Sequence, residues 1–281
     1  MVAFIVLHYK SIDETLECLN TLKKLEHQEK IKIIVVSNSE IDSNFKKKIT
    51  KYTKDIIINS ENLGFAKANN VGCQYAIEKY KPDYLAVINN DLLIEQSNFI
   101  DLLQSSYDKY NFDVLGPKIK SPSGESVNPF PVLSNRKMIE NQIKKNDKII
   151  SIYKSKFKLF LFKIYHNIKY SLIKEQKLEN GNKIAKNVAL HGCCLIFSKK
   201  YYQKYRDIFD KRTFLYHEEE FLYFRMLKDN LCTIYDPKIV VFHKEGSSLN
   251  KIFDGKNSEK QIFRYTECNN SLRKLLNYID R

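Results

Sequence analysis

Residues 1–120 alternate short β-branched runs with longer amphipathic stretches, the pattern of strand-helix-strand units laid on a parallel sheet. Residues 2–7 form a continuous apolar run of strand length. Over residues 12–25, Ile12, Leu16, Leu19 and Leu22 recur at spacings of four, three and three, which predicts a helix with one face on the sheet. The same reading predicts strands over 31–36, 55–59, 84–88 and 113–115, and helices over 43–52, 65–80 and 98–109. Connections this regular describe a Rossmann-like half of a doubly wound α/β protein. In such sheets ligands sit beyond the carboxyl ends of the strands.

The pattern then changes. Residues 134–185 are rich in lysine and in aromatic or branched apolar side chains, and read as helix. A strand pattern resumes over 188–197, a helix over 214–227, an extended run over 233–242 and a closing helix over 259–279. This divides the chain into 1–130, a basic helical insertion over 131–186, and 187–281.

Composition narrows the picture. With 281 residues, 43% hydrophobic and 12% aromatic, the chain can bury a full core, which excludes disorder and disulfide-stapled miniproteins. A net charge of +14 asks for an anionic partner. Much of it is local: between Arg136 and Lys177, twelve basic residues face only Glu140, Asp147 and Glu175. The six cysteines form no C-x-x-C pair and the amino-terminal apolar run has no basic segment before it, so a reduced, cytoplasmic protein without structural zinc is expected. No apolar stretch approaches the ~20 residues of a membrane-spanning helix. The basic residues cluster away from the strand ends and no nucleic-acid reader motif is present, so nucleic acid is not the expected partner.

Four places invite chemistry. Asn89-Asn90-Asp91 follows the apolar run 84–88. A lone aspartate there suffices for Mg²⁺ or Mn²⁺, which completes its shell with phosphate oxygens and water; an ordinary Asx turn has the same composition. The segment from Asn59 to Asn70 carries Gly64 at a helix start, where free amides suit a phosphate or a base edge. His217-Glu218-Glu219-Glu220 lies in strongly apolar surroundings. It is either a helix first turn favoured by the macrodipole or a carboxylate base at a cleft wall, where at most one or two of the three can face one substrate. His243 ends an apolar run before a glycine turn, as a metal ligand or as a buried hydrogen-bonded histidine. His191-Gly192-Cys193-Cys194 lacks the second pair that structural zinc needs.

In order along the chain, IVLHYKS, IVVSNSE, NLGFAKANNVG, LAVINND, GCCLIFSK, FLYHEEEFLYFR and VFHKEGSS, with a final amphipathic helix, resemble the family 2 inverting glycosyltransferases. These have a GT-A fold, and the likeness is greatest to the rhamnosyltransferase-like bacterial members that build surface polysaccharides. The resemblance implies a nucleotide-sugar donor, Mn²⁺ or Mg²⁺, and a glycan or lipid-linked acceptor. It places Tyr9 against the nucleobase and Asn69 near the nucleotide pocket, with Ser37, Asn38, Gly64 and Asn90 also in donor binding. Asn89 and Asp91 match the ends of a D-x-D-like motif, with Asp91 and secondarily His243 as metal ligands. Glu219 stands where the family has an aspartate base, preceded by Glu218, and His191 and Gly192 fall toward the acceptor. Two departures matter. Ser37 replaces the aspartate that recognises the donor pyrimidine, and Glu219 is one methylene longer than aspartate.

The resemblance further implies inversion at the anomeric carbon, and work in capsule, O-antigen or lipooligosaccharide synthesis. The alternative is a non-catalytic carbohydrate- or lipid-binding module on the same fold. The basic insertion, with Phe157, Leu159, Phe160, Leu161, Phe162 and Ile164 among its lysines, is either an interfacial anchor in peripheral contact with an anionic membrane at the inner face or a solvated helical subdomain that shares the chain's lysine-rich composition.

Overall fold

The structure, a computed structural model, describes residues 1–122, 127–160, 162, 182–244 and 256–280. Strands β1 (Val2–His8), β2 (Ile31–Ser37), β3 (Asp55–Ile58) and β4 (Tyr84–Asn89) form a parallel block in the order β3-β2-β1-β4. Their apolar runs are continuous, not alternating, because both faces are covered. On one face Val2, Phe4 and Val6 meet helix α1 (Ile12–Leu22), α2 (Ser43–Ile49) and α4 (Phe99–Tyr110). On the other, Ala3 and Ile5 meet α3 (Gly64–Tyr80), α6 (Lys199–Lys204) and α7 (Glu218–Lys228).

The sheet continues past β4. Strand β8 (Cys194–Ser198) enters antiparallel between β4 and β6 (Val114–Lys120), and β9 (Thr233–His243) runs parallel to β6. The two-residue strands β5 (Leu92–Leu93) and β7 (Ala185–Lys186) pair antiparallel with β9. One mixed sheet, most of whose paired residues lie in parallel ladders, therefore runs through both halves of the chain.

Helix α5 (Arg136–Lys154) lies on the last helix, α8 (Asn257–Ile279). Ile139, Phe221, Leu272 and Leu275 make a small separate core there. Asn146 donates to Asn269 Oδ1 at 2.9 Å, and Asn269 donates to Asp147 at 2.8 Å. Of α5 only Ile139 and Asn146 are buried, so its many lysines stay in water. Of the rest of the expected helical run, Leu161 and residues 163–181 lie outside the described residues, whereas 182–184 are not helical and Ala185 is already in a strand, because β9 offers Ala185 and Lys186 a partner.

Several expected bounds shift. The run 188–197 becomes strand only from Cys194, because a turn at 191–193 is tied by the His191 amide to Asn128 Oδ1 at 2.7 Å. The helix expected from 214 starts at Glu218, since Tyr216 and His217 both take left-handed backbone, φ 68°. Strand β6 runs on to Lys120, beyond the expected 115. All six cysteines are free thiols. Among the described residues no helix is long and apolar enough to cross a membrane.

Candidate active site

The carboxyl ends of β1, β2 and β4 open onto one edge of the sheet. Beside β1, Tyr9, Lys10, Ile12, Ser39, Glu40 and Asn62 help line an open groove of about 450 Å³. Its floor is a bracing network. Asn38, at the end of β2, takes the His8 carbonyl on its backbone amide at 2.9 Å and donates its side-chain amide to the Gly64 carbonyl at 2.8 Å. Asn59 in turn donates to Asn38 Oδ1 at 2.8 Å. Ser37 lies behind this wall, fully buried, and its hydroxyl donates to the Ser39 carbonyl at 2.6 Å. The Ser37 hydroxyl is thus used by the turn itself.

Gly64 is required by geometry. Its φ is +76°, and a Cβ there would lie 2.2 Å from the Phe214 carbonyl oxygen. That carbonyl accepts from the Phe65 amide at 2.7 Å, fastening the start of α3 to the loop before α7. Asn69, one turn into α3, is buried. Its amide donates to the Phe65 carbonyl at 3.0 Å and its Oδ1 has no partner.

At the end of β4 the polar triplet divides its work. The Asn89 amide donates to the Cys193 carbonyl at 2.9 Å, which joins the turn before β8 to the strand. Asn90 is buried and donates to Thr15 Oγ1 at 2.8 Å and to the Ser11 carbonyl at 3.2 Å. Asp91 is buried, its Oδ1 3.1 Å from His243 Nε2, because the pairing of Leu92 with His243 draws the end of β9 alongside. Two ligand atoms in neighbouring positions of an octahedral shell with bonds of about 2.1 Å lie about 3 Å apart. The Asp91–His243 pair therefore fits a shared divalent cation, the carboxylate suiting Mg²⁺ or Mn²⁺ and the imidazole being the less typical partner. Among the described residues the group of three ligating side chains within reach of one ion is Glu26, His27 and Asp101. It follows the carboxyl end of α1, at the opposite edge of the sheet, and takes no part here.

The three glutamates at the start of α7 separate. Glu219 Oε1 accepts the Gly192 amide at 2.9 Å. Only glycine allows this approach, since a Cβ would sit 2.7 Å from that oxygen. Glu218 is buried with one oxygen unpartnered. Burial, with the neighbouring Glu219 charge, pushes its pKa up to about 8. Glu220 is 2% exposed and pairs with His217 Nδ1 at 3.2 Å. Burial works against a charged His217, but Cys268 and Glu220 beside it outweigh that and push its pKa up to about 10.

The two sides meet through histidines. Asp91 touches His243, whose ring centroid is 6.1 Å from that of His191, and His191 precedes the glycine that holds Glu219. Lys10, Ser39, Glu40 and Asn62 lie within the sequence motifs IVLHYKS, IVVSNSE and NLGFAKANNVG but carry no assigned role of their own there. Their signal is position, just beyond the ends of β1, β2 and β3, where this class of sheet places ligands.

A mixed, mostly parallel sheet covered by helices on both faces is the architecture of an α/β protein of the GT-A class. The family model described as "Glycosyl transferase family 2" matches residues 3–206, and the chain belongs to that family. Glu219 lies beyond the matched span. Among solved structures the chain is similar to S. aureus TarS residues 1–349, with TM-score 0.54 and 13% identity over 90% of this chain and 63% of that one. It is also similar to a longer TarS structure, with TM-score 0.51 and 14% identity over 86% of this chain and 36% of that one. A third, TarS 1–349 in complex with UDP, gives TM-score 0.50 and 13% identity over 94% of this chain and 64% of that one. The chain thus spans less than two thirds of each, and at these identities the likeness is one of fold. No curated protein matches the sequence.

Proposed function

We propose that the chain transfers a sugar from a UDP- or dTDP-sugar to a hydroxyl of a glycan or lipid-linked acceptor, with inversion, in bacterial surface-polysaccharide synthesis. The observation that supports this is the setting of Glu219: of three adjacent glutamates it alone is not buried, and it accepts the Gly192 amide beside His191, whose ring neighbours the His243 that meets Asp91. In this reading residues 1–130 hold the donor and 187–281 the acceptor.

The donor base lies in the groove against Tyr9, with its diphosphate toward Asn89–Asp91. Asp91 and His243 would hold Mn²⁺ or Mg²⁺, which when bound supplies positive charge for the departing diphosphate. With Oε1 occupied by Gly192, Glu219 receives the acceptor hydroxyl proton on Oε2. The acceptor oxygen forms its bond to the anomeric carbon from one face while the bond from that carbon to the phosphate oxygen breaks on the other, so configuration inverts. A positioned base contributes roughly 10²–10⁴-fold, or about 3–5.5 kcal/mol.

Lysine-rich α5 and the exposed Phe157 and Phe160, 70% and 62% accessible, support reversible docking on an anionic membrane at the cytoplasmic face, where a lipid-linked acceptor would lie. A panel of UDP-, dTDP- and GDP-sugars screened by thermal shift with Mn²⁺, followed by product anomer assignment by NMR, tests the reading. Stabilisation by a UDP- or dTDP-sugar and an inverted product are expected. No stabilisation by any donor, or a retained configuration, contradicts it.

A further inference from the structure

Two groups beside Glu219, the half-buried His217 and the buried Glu220, have no part in the mechanism above, and His217 sits in unusual backbone. A helix N-cap normally takes extended backbone and turns a Ser, Thr, Asp or Asn oxygen onto the first free amides. His217, the N-cap of α7, does neither: its φ is 68°, its side chain caps no amide, and Tyr216 before it has the same φ. Two left-handed non-glycine residues in succession persist only where their surroundings hold them.

The holding contacts are identifiable. His217 Nδ1 lies 3.2 Å from Glu220 Oε1, with the two side chains 16% and 3% exposed. On its other side His217 meets Cys268 of α8. The loop before it is fastened to the same helix, Ser271 Oγ donating to the Leu215 carbonyl at 2.9 Å and Lys274 Nζ to the Arg212 carbonyl at 2.8 Å. Successive helical side chains point about 100° apart. With Glu218 and Glu220 turned inward, the residue between them is aimed outward, and the angle at which α7 begins decides where its carboxylate stands.

We propose that His217 is a positioning residue for Glu219. Its pairing with Glu220 locks the left-handed approach into α7, so that the Glu219 carboxylate meets the Gly192 amide and stands toward the acceptor. The inference rests on Glu219 being the base. It assigns His217 no contact with substrate.

The test measures kcat and donor KM for His217→Gln and for the near-isosteric Glu220→Gln, each in the wild-type and in the Glu219→Ala background. The probe is release of the nucleoside diphosphate from whichever of UDP-glucose, dTDP-rhamnose and GDP-mannose the wild type turns over fastest. In the wild-type background kcat is expected to fall about tenfold or more while donor KM moves less than about twofold. In the Glu219→Ala background the same substitutions are expected to cost less than about twofold, because the group they position is gone. His217→Lys, which restores a cation opposite Glu220 at a backbone that Lys10 and Lys81 already adopt (φ 57° and 49°), is expected to recover part of kcat.

Equal losses in both backgrounds would reduce His217 and Glu220 to general supports of the fold and overturn the proposal, as would folded variants with unchanged kcat or a change confined to KM. Near-normal turnover by Glu219→Ala itself, or a wild type that turns over none of the three donors, would instead remove the base assignment on which it stands.

Discussion

Glu218, Glu219 and Glu220 share one side-chain chemistry and occupy three different environments, set by where the backbone turns each of them. Glu218 has a pKa raised from an ordinary 4.5 to about 8, with burial the first cause. A carboxyl group so raised contributes stability that is intact below about pH 4.5 and is lost as pH rises through about 8. His217, raised from 6.5 to about 10, acts in the same direction between those values. Thermal melts from pH 5 to 9 should therefore show stability falling on the alkaline side. Glu218→Gln should flatten that fall; an unchanged slope would contradict the burial argument. Gly192→Ala places a Cβ 2.7 Å from Glu219 Oε1. The fold can absorb this by shifting a side-chain end, so melting should change little while turnover falls roughly ten- to a hundredfold. At this scale the sequence drew attention to Asp91 and Glu219, polar residues set in apolar runs, and the structure gives each a specific partner, His243 and the Gly192 amide. It was silent about Ser37, because a hydroxyl spent on its own turn looks identical in sequence to one offered to a base.

Strands and helices of the first half were legible because each is long enough to show a period and each has both ends punctuated. Buried β1 and β4, and α1 with its leucines at helical spacing, fall within a residue or a few of where the pattern puts them. Elements of the second half were less so, for physical reasons. Two-residue β5 and β7 are too short to carry any period, and they exist only because β9 offers a partner. The start of α7 was misplaced by four residues because the left-handed pair Tyr216–His217 is held by α8, some fifty residues later, and no local propensity reveals it. Gly64 belongs to this scale, since it lets the start of α3 touch the loop that leads into α7. Gly64→Ala meets backbone at 2.2 Å and keeps an unfavourable φ, so urea denaturation should report a loss of about 2–3 kcal/mol. A loss under ~0.5 kcal/mol would show that the two elements are not fastened there.

Over the whole molecule, the continuous sheet is what brings residues 128 positions apart in the chain to one edge. Strand β8 returns antiparallel beside β4, and so sets the Gly192 turn next to the Asn89–Asp91 turn. The doubly wound half was readable from alternation alone, whereas the insertion of β8 between β4 and β6 was not, because pairing partners are chosen by long-range packing. The same arrangement leaves α5 exposed with its lysines, followed by the exposed Phe157 and Phe160. Each lysine near an anionic bilayer contributes roughly 1 kcal/mol, so the chain should float with anionic liposomes at low salt and be released at high salt, with Phe157→Ser and Phe160→Ser weakening the association. Binding indifferent to lipid charge and salt would remove the electrostatic part.

The most direct test of the central claim, that Glu219 is the base of a transferase whose donor sits across the same cleft, is turnover by Glu219→Gln set beside its affinity for the donor. Loss of roughly 10²–10⁴-fold in turnover, with donor affinity within about twofold of wild type, is the predicted result. Near-normal turnover, or a donor affinity lost along with it, would contradict the account.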